Sequence, residues 1–442
     1  MLEKLRKEVR ASDLTGGRRI FLLILVSMGS STIYAPAYLK GVFYDPLMEA
    51  LHCTNADLGM LLSAYAITAT ICYLPSGIVA DKVRVRTLGW VGFTTTAVLT
   101  YVYALLPSIT TLMFVFIGMG VTTILIWWGI RFKLVRLISP EEEYSKNIGI
   151  SYGIYGAAGL VVGLINMWIV NAFVDNMEGG VRTLLIFLGS LILLLGILSF
   201  LFIPRFEGEI NTGESGFNLK ELGQVVKNPV VWLSAACMFF VYFYYTGVTY
   251  TTPYLSDVLG ASLAIVSLVS IIRTYGITLL SGPAFGFLAR KAGSPSQVIW
   301  IGSVVAALAL AGMTLLPSKS SMAVLAAVII IALGFIANGV FGIVSSQLTE
   351  GRVPITIFGT ATGILSVIGF LPDTFSSTWF GSMIDNQGND AYRSIFLILA
   401  GSAIIAAVFA VLLVVYVRKN AAKLEAAEAA AAELALADAK AE

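Results

Sequence analysis

The chain has 442 residues, of which 57% are hydrophobic and 12% charged, with a mean hydropathy of +0.87. Soluble domains keep about a quarter of their residues charged, so most of this chain must lie in a solvent that does not reward charge. A net charge of +2 implies no nucleic-acid or other polyanionic partner, and a single histidine, His52, argues against histidine metal sites and histidine catalysis.

Residues 1–19 are basic and polar. The apolar run after them is too long for a signal-peptide core and has no small-residue cleavage site, so it reads as a retained first span. A spanning helix needs about 20 mostly apolar residues. Twelve segments qualify: 20–42, 57–79, 87–107, 110–136, 147–173, 182–203, 229–256, 260–289, 297–316, 321–349, 355–381 and 392–418. The longest polar interruption, 205–228, splits them six and six. The expected architecture is an all-α membrane protein with bundles at 20–204 and 229–418. A cytoplasmic N-terminus (1–19), a cytoplasmic linker (205–228) and a cytoplasmic tail (419–442) complete it. The tail is rich in alanine and glutamate and reads as a solvated helix or frayed end. Cys53, Cys72 and Cys237 form neither a disulfide framework nor a zinc spacing.

Lysine and arginine fix the orientation, because cytoplasmic segments hold the excess. With the N-terminus inside, 23 of the 28 basic residues fall in cytoplasmic segments and 4 in outside loops. The remaining one, Arg273, lies about 13 residues deep in the eighth span.

The two halves echo each other. GIVADKVRVR (77–86) joins spans two and three, and GFLARKAGSP (286–295) joins spans eight and nine, with Gly77 and Gly286 offset by 209 residues. Gly149-x-x-x-Gly153 and Gly359-x-x-x-Gly363, at the starts of spans five and eleven, are offset by 210. A duplicated six-span unit puts a binding cavity between its copies near the midplane.

GIVADKVRVR resembles the G-x-x-x-D-[RK]-x-G-[RK]-[RK] signature of the major facilitator superfamily: Gly77, Asp81, Lys82 and Arg86 match, while Arg84 stands in a glycine position. The second copy keeps Gly286, Lys291 and Gly293 but has Arg290 in the acidic position. IWWGIRFKLVRLISPEEE and GTATGILSVIGFLPD are similar to sugar-phosphate and organic-acid carriers of that superfamily. The resemblance implies alternating access, a gate in which Gly77 allows close helix approach, and Asp81 facing the N-terminus of span eleven. The competing reading is that these charges only enforce topology. Ser139-Pro-Glu-Glu142 has the form of a capping box opening the helix into span five. In that span Gly149, Gly153, Gly156, Gly159 and Gly163 permit close packing. The proline found there in many exchangers of the superfamily is missing, so drug efflux loses support.

An arginine at mid-depth costs roughly 2.5–3.5 kcal/mol on insertion scales and must face a cavity or a partner. Arg273 is therefore expected to grip a carboxylate, sulfonate or phosphate, to be locked to Asp373 of span eleven, or to serve conformational gating. It is similar to the span-eight arginine of oxalate and monocarboxylate carriers. No lysine accompanies it on span eleven, which weakens the case for a dianion. Asp373 is then a candidate for proton coupling, or a helix-break residue beside Pro372. Arg131 is read as snorkelling to the cytoplasmic face with Lys133 and Arg136, an inner anion site being the alternative. By depth, Tyr34, Tyr65, Trp128, Tyr242, Tyr244, Tyr245 and Asn338 are candidate cavity residues.

These readings converge on a monomeric secondary carrier of a small organic anion in the inner membrane. It would work by proton symport or anion antiport, without metal or cofactor. The rivals are a carrier of an uncharged or cationic solute, with Arg273 paired to Asp373, and a carrier-fold sensor. No nucleophile–base set or P-loop supports an enzyme or an ATP-driven pump.

Overall fold

The structure is a computed structural model that describes residues 8–10, 13–139, 143–210 and 219–426. The capping box over Pro140–Glu142, the middle of the linker (211–218) and the end of the tail (427–442) lie outside the described residues. Among the described residues nine helices are long and apolar enough to cross a membrane, and ten once Leu263–Gly276 and Thr278–Ala292 count as one span bent by 42°. Helices Gly16–Ile33 and Val85–Ala104 stand where the hydropathy places spans one and three.

Two spans are broken where proline dictates it. The first, expected to run to residue 42, is helical only over Gly16–Ile33. Pro36 has no N–H to donate and disfavours helical geometry in the residue before it. The chain continues as turns, a 3₁₀ segment at Leu39–Gly41 and a short helix, Tyr44–Leu51, which ends on His52 in the left-handed region (φ 49°). Span eleven is interrupted by a 3₁₀ turn at Leu371–Thr374, around Pro372, between helices Ile355–Gly369 and Ser376–Gln387. Two further irregularities are π-helical: Val121–Trp128 in span four and Ile272–Gly276, which carries Arg273, in span eight. Wide turns of this kind concentrate at functional sites.

Among the described residues, the hydrogen bonds between the first six and last six spans lie toward one end of the molecule. Asp385, at the end of span eleven, accepts from Asn55 N (3.0 Å), Asn55 Nδ2 (2.8 Å) and Ala56 N (2.8 Å) at the start of span two. This places a carboxylate on the free N–H groups and positive dipole end of helix Asn55–Lys82. Ser63 and Thr378 hydroxyls meet at 2.9 Å, and Thr252 donates to the Gly41 carbonyl (2.9 Å). Spans two and eleven touch backbone to backbone here. A Cβ on Gly59 would lie 2.3 Å from the Ser377 carbonyl oxygen, and one on Gly381 would lie 2.3 Å from that of Asn55.

At the opposite end, no atom lies within 4 Å of where a Cβ would stand on Gly77, Gly149, Gly153, Gly286 or Gly359. The close approach expected at Gly77 is therefore not made in this conformation. On the orientation expected from the basic residues, the bonded end is the outer one, and at the cytoplasmic end these glycines face open space. Gly156, Gly159 and Gly163 do pack as expected, against Leu279, Tyr275 and Ile271 of span eight.

The cytoplasmic end of the first half is braced by the chain around the linker. Glu8–Val9 pairs in parallel with Arg205–Phe206. Arg84 bonds Glu8 at 2.5 Å and lies 3.8 Å from the buried carboxylate of Glu209. Arg86 donates to the Ile203 carbonyl at 2.6 Å, and Lys133 donates to that of Ala80. The motif cations Arg84 and Arg86 thus tie spans two and three to the polypeptide after span six.

Candidate functional site

Arg273 is 3% exposed. Gly334 of span ten makes room for it: a Cβ there would stand 2.6 Å from Arg273 Cγ. Asn338 on the same helix donates to the carbonyls of Gly334 (3.0 Å) and Arg273 (3.5 Å), and accepts from Thr278 (3.3 Å), supporting the π turn. The guanidinium does not reach Asp373. Nη1 donates to Thr251 and Thr252 Oγ1 (both 3.0 Å) and the Val248 carbonyl (3.3 Å). Nη2 donates to the Gly41 carbonyl (2.6 Å) and Thr274 Oγ1 (3.3 Å). The expected alternative, a locked Arg273–Asp373 pair, is thus not formed here. All the acceptors are neutral, and one belongs to the broken end of span one in the other half.

Asp373, also 3% exposed, accepts from Tyr242 OH (2.7 Å) and Tyr38 OH (3.4 Å). It joins the two halves through hydroxyls. Lys40 is buried beside it, with Nζ 3.5 Å from Tyr250 OH and 5.3 Å from the centre of that ring. Asp373 is an electrostatic neighbour of Lys40, yet no ion pair joins them among the described residues. Lys40 and Tyr38 escape a reading by depth, because a regular first span puts Lys40 at its outer end in water. Pro36 was the signal that the helix stops early and turns this stretch inward.

The remaining candidates fall into two groups. Tyr65 OH meets Thr123 Oγ1 at 2.8 Å and Tyr34 OH donates to the Thr123 carbonyl at 3.4 Å, both on the π segment of span four. Tyr65 is fully buried, with Tyr38 edge-on to it at 5.4 Å. Trp128 joins a separate aromatic set, edge-on to Tyr73 at 5.4 Å. In the second half, Tyr245 stacks on Phe341 (4.7 Å, 10°), while Tyr244 turns away to Ser303 (3.3 Å).

Of the gating residues, Arg86 is buried against Ile203, whereas Arg290 and Lys291 are exposed at the end of helix Thr278–Ala292. Gly293 (φ 66°) ends that helix in the left-handed conformation glycine favours. Asp81 accepts no hydrogen bond among the described residues, so the expected contact with span eleven is not made with the cytoplasmic end parted.

Arg131 does not snorkel. It is 6% exposed, with its guanidinium carbon 4.4 Å from the Tyr152 ring centre and 5.2 Å from that of Tyr155.

Helices broken at mid-depth, with charge inside and, among the described residues, hydrogen bonds between halves toward one end, define a membrane transporter of the alternating-access kind. The family model of the Major Facilitator Superfamily matches residues 20–377, and the chain belongs to that superfamily. It is 28% identical over 386 residues to the inner membrane protein YqcE of Escherichia coli K12, covering 86% of this chain and 91% of that protein. To the inner membrane protein YihN of the same organism it is 26% identical over 414 residues, covering 92% and 98%. Its fold is similar to that of a bacterial homolog of the human lysosomal transporter Spinster, solved inward-facing and unoccupied (TM-score 0.67, 18% identity, 90% and 96% covered). It is also similar to that of the nucleoside transporter NupG (TM-score 0.68, 18% identity, 89% and 98% covered). The protein is a multi-pass inner membrane transporter and not an enzyme.

Proposed function

We propose that this transporter carries a small organic anion of the carboxylate type, by proton symport or anion exchange. One observation carries the reading: among the described residues, the spans bury Lys40, Arg131 and Arg273 against a single carboxylate, Asp373. None of the three cations is in an ion pair among the described residues. Buried unpaired charge is costly, and intramembrane charge serves function by default. An anion entering with its own charge supplies the missing compensation.

Arg273 is the entry grip. Its Nη2 bond to Gly41 spans the two halves, so opening the outer end withdraws that carbonyl. The freed guanidinium edge then takes a carboxylate in its place. Tyr245 is its electrostatic neighbour and a hydroxyl donor, and the Tyr242 ring lies 5.9 Å from that of Tyr245. Asp373, already sharing hydroxyls from both halves, is the coupling residue in the symport form.

The test is uptake of labelled monocarboxylates, dicarboxylates and sulfonates by proteoliposomes bearing wild type, Arg273→Lys or Arg273→Gln. Glutamine is expected to abolish uptake, and lysine, which keeps charge but loses the two-pronged geometry, to weaken it about tenfold or more. Undiminished transport of every accepted acid by Arg273→Gln would refute the anion grip.

A further inference from the structure

Arg273 has both terminal nitrogens engaged while the outer end is closed, so the cation that meets an anion from the cytoplasmic side must be another. We infer that Arg131 is a second carboxylate-binding site, serving the conformation open to the cytoplasm; this rests on the anion reading above. Its Nη2 is fully buried and has no hydrogen-bond partner among the described residues. No carboxylate pairs with it there either. Around it lie aromatic faces: Tyr152 at 4.4 Å, Tyr155 at 5.2 Å and Phe132 at 5.6 Å from the guanidinium carbon. Ring faces hold a cation electrostatically but offer its N–H groups no lone pair. The cage keeps the charge in place and leaves hydrogen-bonding capacity unspent, which a carboxylate satisfies with two parallel bonds.

The location fits a transport path. Arg131 follows the π segment Val121–Trp128, which presents Thr123 to Tyr34 and Tyr65. Tyr34 and Tyr155 are its electrostatic neighbours, and Tyr155 in turn is an electrostatic neighbour of Tyr245 and Tyr275 of the other half. The nearby cations differ from it: Lys133 is spent on the Ala80 carbonyl, and Arg136 lies on the exposed side of the same helix. The two arginines divide the labour, Arg273 receiving at the outer end and Arg131 holding or releasing at the inner end.

The test is thermal unfolding of the purified full-length protein with sodium acetate, pyruvate, lactate or benzoate, each against sodium chloride at equal ionic strength. At least one carboxylate is expected to raise the wild-type midpoint saturably. Arg131→Gln should lose that shift, Arg131→Lys should need at least about tenfold more salt for it, and Lys133→Gln should keep it. Lysine retains charge and bulk, so it decides the matter should the glutamine variant not fold. A wild-type dose response preserved in Arg131→Gln and Arg131→Lys would overturn this site while leaving the anion reading intact. A wild type indifferent to all four salts would overturn both.

Discussion

Replacing Gly59 by alanine should open the outer end. The new methyl carbon would stand 2.3 Å from the Ser377 carbonyl oxygen, 2.6 Å from its carbon and 2.9 Å from Thr378 Cα. All three are backbone atoms of span eleven, so no rotamer change relieves the overlap. Ordinary contact lies near 3.5 Å, and the helices must part by about 1 Å. That separation strains the Asp385 bonds to Asn55 N and Ala56 N, 3.0 and 2.8 Å long. Bonds to a charged acceptor are worth about 1.5 kcal/mol each at the low end, so losing two costs the closed form about 3 kcal/mol. The ratio of outer-closed to outer-open molecules then falls ~150-fold. The assay is a spin–spin distance between labels at Glu49→Cys and Asn386→Cys, which are exposed on opposite halves, with Cys53, Cys72 and Cys237 replaced by serine. The variant should show a longer, broader distribution and slower uptake. A distance distribution identical to wild type would refute the claim that this backbone contact sets the closed state.

The remaining predictions use the same distance readout or a transport assay. Asp385→Asn keeps the shape but removes the charge from the N-terminus of span two, and should populate the open form ~5-fold more. Gly334→Ala places a carbon 2.6 Å from Arg273 Cγ; it should displace the guanidinium and reduce uptake at least about tenfold without changing the amount of folded protein. Asp45, between spans one and two, supplies a pH dependence. Burial pushes its carboxyl up to about 6; a hydrogen bond from Ser256 opposes this and the charge of Asp257 adds to it. Because the value is raised in the outer-closed form, that form's advantage is complete below the ordinary carboxyl value near ~4 and is lost as pH rises through about 6. Lowering the pH from about 8 to 5 should therefore shift the labels toward the closed distance, and Asp45→Asn should flatten that response.

Much of the scaffold was legible because lipid imposes a simple rule: about 20 apolar residues per span. Arg273 announced itself by its depth. Its partners did not, because they are main-chain carbonyls and threonines that no spacing rule couples to it. Asp373 meets Tyr38 across 335 positions, and that pairing depends on the turn Pro36 imposes on span one. Hydropathy alone could not show the turn, since residues 34–39 are as apolar as the helix before them. The signature at Gly77 and Asp81 was readable, but the contact expected of it is not made here. Arg131 was misread for a related reason. A cation near a span end ordinarily snorkels, and only the packed positions of Tyr152 and Tyr155 show why this one stays in.

The sharpest measurement is counterflow into proteoliposomes preloaded with unlabelled solutes of three charge classes. Monocarboxylates should drive accumulation of their labelled counterparts, while nucleosides and organic cations leave the label outside. Counterflow of an uncharged or cationic solute, with every carboxylate inert, would contradict the assignment of the interior's excess positive charge to an anionic cargo.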